Sequence, residues 1–193
     1  ILAGYLDHFE VNEAAVKALS TSEDVFGLAE DQRRLLEQVS PRLRLDHVQW
    51  RFAPARVRES FTVLADFGNS ELSLAGAVPG LSGLKGLLQF GFGAGYLDFD
   101  ATNAQIQFGS LYDFPWSLDA IRGRIAYRSA EDGFALTSGK LVARVDGLVA
   151  EGKLHMNLAQ DRRLRTWGLV LGAKDFELEA VLPFIPNTVP KTA

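Results

Sequence analysis

Hydrophobic and polar positions change rhythm near Pro41. Before it the spacing is helical. In VNEAAVKALS, Ala15, Val16 and Leu19 recur about every 3.6 residues, and Asn12 stands where its side chain can accept from a free backbone N–H. In LAEDQRRLLEQVSP, Leu28, Leu35, Leu36 and Val39 share one face, while Glu30, Asp31, Arg33, Arg34 and Glu37 fall mostly on the other. Pro41 ends this second helix, because the residue before a proline is pushed out of the α region. Residues 1–41 are therefore expected to form an amphipathic helical segment packed on whatever follows.

After Pro41 the period falls to two. RLRLDHVQWRF alternates, with a change of phase around Asp46. SFTVLADF, ELSLAG, GLLQFGF, GYLDFDA, AQIQFG, GRIAYRS, GFALTS, KLVARVDG, GKLHMNL and TWGLVLGAKDF alternate as well. Such runs, separated by Gly, Asn, Asp and Ser, predict antiparallel strands with one apolar face. Roughly ten strands fill residues 42–178, leaving no room for helices, and a proline-rich tail follows over 179–193.

LSGLKGLLQF at 81–90 returns in looser form as LDAIRGRIAY at 118–127, 37 positions on. Leu81, Leu84, Lys85, Gly86, Leu88 and Phe90 meet Leu118, Ile121, Arg122, Gly123, Ile125 and Tyr127. Downstream, Leu97 meets Phe134, Phe99 meets Leu136, Ala104 meets Leu141 and Ile106 meets Ala143. The alternation jumps by three between Ala101 and Ala104 and again between Ser138 and Leu141, which suits a tight turn between strands. GKLHM at 152–156 is a shorter echo. Each unit is read as about three strands, and units set side by side give a long sheet with a continuous apolar face.

A sheet of this length must twist, curl or fold over. The pattern admits a sandwich, a closed barrel or a curved open groove, and periodicity alone does not choose among them. The apolar positions are rich in aromatics (Phe90, Phe92, Phe99, Phe108, Tyr127, Phe134), with Gln89, Asp98, Asp100, Gln105, Gln107, Arg124 and Lys153 between them.

Composition narrows the function classes. The net charge of −4 gives no basic field for displacing counterions from phosphates, so nucleic acid is not an expected partner. There is no cysteine, which removes disulfides and thiolate chemistry. No run approaches the ~20 apolar residues of a membrane-spanning helix. The first residue is Ile1 and no signal-peptide pattern follows, so the chain is read as an excerpt of a longer protein whose anchor lies elsewhere.

No constellation carries catalysis. His8, His47 and His155 lack partners at metal-ligand spacing. Asp98 and Asp100 share a strand face and invite comparison with paired glycosidase carboxylates, but a solvated face explains them better. FGFGAG lacks the Lys-Ser/Thr of a phosphate loop and reads as a hairpin turn. Neither an enzymatic activity nor a cofactor is expected. Arg33, Arg34, Arg42 and Arg44, and separately Arg162, Arg163 and Arg165, form basic patches suited to lipid phosphates or simply to solubility. Trp50, Trp116 and Trp167 are read as packing anchors.

The order of segments resembles the bacterial AsmA-like envelope proteins, in particular the YhdP type. A helical pair ends in proline, then comes RLRLDHVQWRF, then AVPGLSGLKGLLQF, the strand pair GYLDFDATNAQIQF, the aromatic–proline turn LYDFPWSLDAIRGRIAY, GFALTSGKLVARVDGLVAEGKLHMNL and the stop VLPFIPNTVP. The resemblance runs from about Leu28 to Pro190. It implies a mainly β, taco-like groove of curved antiparallel sheet with two short N-terminal helices. It further implies a periplasmic segment of an inner-membrane-anchored Gram-negative protein that bridges inner and outer membranes and conducts phospholipid. The partners implied are phospholipid and neighbouring segments of the same long chain. The expected lipid-contacting residues are Leu88, Phe90, Leu97, Phe99, Ile106, Phe108, Ile125, Tyr127, Phe134, Leu136, Leu154 and Met156. A strand of six residues spans roughly 20 Å, enough to shield an acyl chain. The alternative is a β-sandwich that scaffolds an envelope assembly.

Overall fold

The computed structural model describes residues 1–21, 34, 37–74, 79–109, 112, 114–130, 133–159 and 164–174. They form one antiparallel sheet and two short helices. In chain order the elements are β1 (Leu2–Val11), α1 (Glu13–Thr21), β2 (Arg42–Phe52), a 3-10 turn (Pro54–Arg56), α2 (Val57–Ser60), β3 (Thr62–Leu72), β4 (Gly80–Ser82), β5 (Gly86–Gly91), β6 (Ala94–Gln107), β7 (Trp116–Ala130), β8 (Gly133–Ser138), β9 (Leu141–Val145), β10 (Leu148–Ala159) and β11 (Leu164–Lys174).

The sheet is a meander in chain order. β4 and β5 lie in one line between β3 and β6, and β8 and β9 lie in one line between β7 and β10. The ends of the order, β1 and β11, do not pair, so the sheet does not close. Every substantial strand–strand contact joins sheet neighbours. Among the described residues there is neither a barrel nor a second sheet layer.

The expected block of strands after Pro41 is present, but SFTVLADF and ELSLAG share β3, GYLDFDA and AQIQFG share β6, and β4 lies in no expected run. The N-terminal expectation also needs correction. Residues 2–11 are not helical. They form β1, which pairs with β2 from Leu2↔Phe52 to Val11↔Leu43. Leu2, Gly4 and Leu6 alternate, then the phase slips to Phe9 and Val11. That slip matches the one in β2 around His47 and hides the strand period. The helix of 13–21 does form, and its cap is the expected one, with the Ala15 amide donating to Asn12 Oδ1 at 3.1 Å. Val16 buries its side chain there. The second expected helix falls mostly outside the described residues, with 34 and 37–39 helical. The proline-rich tail also lies outside them. The strand block does admit one helical excursion, the 3-10 turn and α2 that carry the chain from β2 to β3.

The phase slips are not turns between strands. Asn103 sits inside β6 with φ +57, and β6 runs unbroken along β7 from Ala94↔Arg128 to Ile106↔Trp116. His47 sits inside β2 with φ +53, where Asp46↔Asp66 shifts to Gln49↔Leu64 on β3. His47 marks a bulge against β3, whereas Asn103 keeps its register with β7 and is a left-handed residue inside a continuous ladder. In both cases the left-handed residue rotates the next side chain back to the same face. The slip between Ser138 and Leu141 is the break between the collinear β8 and β9. Short runs in the sequence therefore join into strands of up to 15 residues, roughly 50 Å if straight, more than twice the six-residue estimate.

Asn103 suits its left-handed backbone, because asparagine enters that region at lower cost than most residues with a Cβ. Asn103→Val is expected to cost about 1–2 kcal/mol and Asn103→Gly almost nothing. Urea denaturation of the two variants checks this, and an equal cost for both would remove the conformational explanation.

The 37-residue repeat acquires a structural meaning and a smaller unit. The first copy lies on β4 and β5, the second on β7, two sheet positions further on. The repeat is thus a two-position hairpin rather than three strands. Gly86 and Gly123 have φ of +158 and +155, and both pair with Phe99, one from each side.

Candidate functional site: the apolar face of the sheet

Register places the apolar residues of successive strands in transverse rows on one face. Phe67, Gly86, Phe99 and Gly123 form one row. Ala65, Leu88, Leu97, Ile125 and Ser138 form the next. Val63 and Phe90, then Gly95, Tyr127, Leu136 and Met156, form a third. Eleven of the twelve expected residues belong to β5, β6, β7, β8 and β10. Alternation puts ten of them on this face, and Ile106 joins it beyond the left-handed Asn103, opposite Trp116. Phe108 lies just past the end of β6, where it packs on Trp116 at 4.8 Å and Tyr112 at 5.6 Å.

Burial is graded across this face. Leu45, Val48, Ala65, Phe67, Phe99, Ala101, Ala104 and Leu118 are buried, and nearly all sit in the interior of their strands. Leu84, in the break between β4 and β5, packs against both buried clusters. Of the twelve expected residues only Phe99 is buried, at 6% exposure, whereas Phe90 and Leu97 keep 37% and 38%. The other nine are half-buried. On β1, Leu2, Leu6 and Phe9 are exposed as well. Sequence reasoning missed this extension of the face because it assigned β1 to a helix.

The strand ends are aromatic. At the β5–β6 end, Phe61, Phe92, Phe90, Tyr127 and Phe134 form a chain of rings with successive centroids 5.6–6.2 Å apart. The Tyr127 hydroxyl donates to the Gly91 carbonyl at 2.6 Å and accepts from the Gly91 amide at 3.2 Å, which clamps the Phe92–Gly93 turn. Burial pushes the Tyr127 hydroxyl pKa up, partly offset by that backbone bond. Gly95 is required here, since a Cβ would run into the Gln89 carbonyl oxygen and lie 2.6 Å from Tyr127 Cε1. FGFGAG is thus a hairpin turn, as expected. At the opposite end, Phe108, Tyr112 and Trp116 make a smaller cluster. Trp50 stacks on Phe52 at 5.7 Å. The side chain of Trp167 lies outside the described residues.

The other face is polar and laced with ion pairs. Asp98 pairs with Arg124, whose guanidinium also lies 4.5 Å over the Tyr96 ring. Lys140 meets Glu151 at 2.7 Å and Arg44 meets Asp46 at 2.8 Å. Asp100 lies on this face beside Lys85 and Arg122, so the two carboxylates singled out in the sequence belong to a charge-balanced surface. Among the described residues no three His, Asp or Glu side chains gather to hold a metal, and no helix is long and apolar enough to cross a membrane. Of the basic patches, Arg34 and Arg42 are exposed, and Arg33, Arg162, Arg163 and the Arg165 side chain lie outside the described residues.

His47 Nδ1 lies 2.8 Å from Asp66 Oδ2 at the β2 bulge. That hydrogen bond raises the imidazole pKa above its usual 6.5; desolvation opposes it, and the charges of Asp66, Asp46 and Asp7 add to the rise. The folded state holds the proton more tightly. The resulting stabilisation is complete below the unfolded value and lost as pH rises through the raised folded value. Asp66→Asn is expected to return the NMR titration midpoint of His47 toward 6.5 and to flatten the slope of stability against pH above it. An unchanged midpoint would mean that Asp66 does not govern this histidine.

Comparison of the sequence with family models and curated proteins, and of the fold with solved structures, gives no match.

Proposed function

We propose that the apolar face is a path for phospholipid acyl chains and that this chain is one segment of a lipid-conducting bridge in a Gram-negative envelope. The carrying observation is the continuity of that face from β1 to β10 while most of its large side chains stay half-exposed. A monomer seldom leaves so large a contiguous apolar surface open without something to cover it. The resemblance in segment order to the AsmA-like proteins supports the same reading, as does the buried stripe beside the left-handed residues His47 and Asn103. If the strands bend there with the apolar side inward, the sheet becomes a creased groove with its deepest residues at Phe67, Phe99 and Ala104. Each methylene moved from water into it gains roughly 0.8 kcal/mol. A repeating face offers successive places of similar energy, so lipid can pass along it without being trapped. The chain then needs neither a cofactor nor a catalytic residue, and it works in the periplasm with neighbouring segments of its parent protein and the two membranes at the far ends.

The test is mass spectrometry of lipid extracted from the purified chain, paired with photocrosslinking from Phe90, Phe99, Ile106, Tyr127 and Leu136. Co-purified phospholipid with crosslinks at several of these positions is the expected result. A lipid-free protein with no crosslinks removes the proposal. The face would then be a packing surface, as in the scaffold reading.

A further inference from the structure

Three depressions open on the polar face, and their charges differ. The largest, about 820 Å³, is lined by Asp66, Asp98 and Asp100 and equally by Lys85, Arg122 and Lys140. A third of about 340 Å³ has Glu71 and no base. The second, about 660 Å³, has Arg51 and no carboxylate. It lies between two rows of side chains that the register sets side by side. One row is Ala3–Arg51–Thr62, and the other is Tyr5–Gln49–Leu64–Gln89. Its floor is the backbone of Gly4 and Trp50. Arg51 forms no ion pair among the described residues, unlike Arg44, Arg56 and Arg124.

We propose that this trough binds a phosphate group, held by the Arg51 guanidinium with the Thr62 hydroxyl and the Gln49 and Gln89 amides as neutral donors. The chemistry fits. A guanidinium presents two parallel N–H groups to phosphate oxygens, and hydroxyl and amide donors add bonds without adding charge. No carboxylate lines this trough to compete for the guanidinium, whereas the largest depression carries three carboxylates beside its three cations. Arg51 is the penultimate residue of β2, so the site lies at the strand end that also carries the aromatic row. A lipid headgroup drawn over that end and a soluble phosphate ester can both reach it. The site is on the face opposite the apolar path, so its failure would leave the lipid-path reading intact, and the reverse holds as well.

The experiment is a titration of the isotope-labelled full chain, followed by NMR shifts at Thr62, Gln49, Gln89 and the Arg51 side chain. The probes are inorganic phosphate, glycerol phosphate and vesicles of a neutral lipid with and without phosphatidic acid. Saturable shifts confined to these residues are expected, weakened about tenfold or more in Arg51→Gln and unchanged in Arg128→Gln, which removes a cation at the same sheet end outside the trough. Arg51→Lys keeps the charge without the fork and is expected to fall between, which also guards against misfolding of the glutamine variant. Saturation by the soluble probes identifies a free phosphate ester, and response to the phosphatidic acid vesicles alone identifies a headgroup. Either upholds the site. No saturable shift with any probe, or equal weakening in Arg128→Gln, overturns it, and photocrosslinking of Arg51→Gln from Phe90 and Tyr127 reports separately on the apolar face.

Discussion

Phe99→Asp is expected to unfold the sheet, while Phe90→Asp leaves it folded. The two residues share a face and a residue type, and the sequence treats them alike. The structure separates them. Phe99 is 6% exposed, in the middle of β6, with Gly86 on one side and Gly123 on the other. Those glycines leave room beside the Phe99 ring, and Leu84, Leu88, Ile121 and Leu141 are among the residues packed against the buried cluster to which it belongs. Truncating such a phenylalanine costs about 3–5 kcal/mol, and an unpaired carboxylate adds a desolvation penalty. The sum approaches the whole stability of an ordinary domain, about 5–15 kcal/mol. Phe90 is 37% exposed at the strand end, where its loss removes part of a ring cluster, a cost of about 1–2 kcal/mol. Guanidinium denaturation of the two variants decides the matter. If Phe99→Asp keeps a cooperative transition near that of the parent, the central stripe is not the core and the graded burial of this face has no energetic meaning. If Phe90→Asp folds normally but loses phospholipid crosslinks at Tyr127, the outer part of the face is where lipid lies.

Gly86→Ala is expected to be the most damaging glycine replacement of its kind, and Gly123→Ala distinctly milder. A Cβ at Gly86 would lie 1.9 Å from the Asp98 carbonyl oxygen and 2.8 Å from the Phe99 Cα, and neither backbone atom can move aside without opening the β5–β6 ladder. At Gly123 the nearest atom is Leu141 Cδ2 at 2.6 Å, the end of a side chain that can change rotamer, with backbone no closer than 3.2 Å. Both positions also hold a positive φ that an L side chain rarely adopts, so a cost of about 4 kcal/mol for the first and about 2 kcal/mol for the second follows. Gly68→Ala and Gly139→Ala meet nothing within 4 Å, so changes within about 0.5 kcal/mol are expected. Thermal unfolding of all four gives the order, and equal losses at Gly86 and Gly139 would show that backbone approach is not what the repeated glycine provides.

The sequence by itself determined the composition of the sheet. Alternation with period two located nearly all of the strand residues after Pro41 and the apolar side of each run, because successive side chains on a strand point to opposite faces. The cap at Asn12 and the FGFGAG turn were equally legible, since both depend on residues a few positions apart. The repeat exposed the Lys/Arg–Gly pair before its purpose was visible. What local pattern did not reveal was continuity. A jump of three in the alternation reads the same for a turn between strands and for a left-handed residue within one, and only pairing distinguishes them. That ambiguity split long strands such as β6 into short ones and hid β1, whose slip between Leu6 and Phe9 lies beside the one at His47.

Tertiary structure alone decided which apolar residues are buried and which stay open. Phe99 and Phe90 occupy equivalent steps of the same alternation, and no sequence period ranks them. Their difference arises from position along the strand. Neighbours on both sides cover the middle of a long strand, and nothing among the described residues covers its end. The same holds on the polar face, where Arg51 and Arg124 are alike as letters. Register places Arg124 against Asp98 and leaves Arg51 between Ala3 and Thr62, because the partner of a strand residue is set by a chain segment tens of positions away.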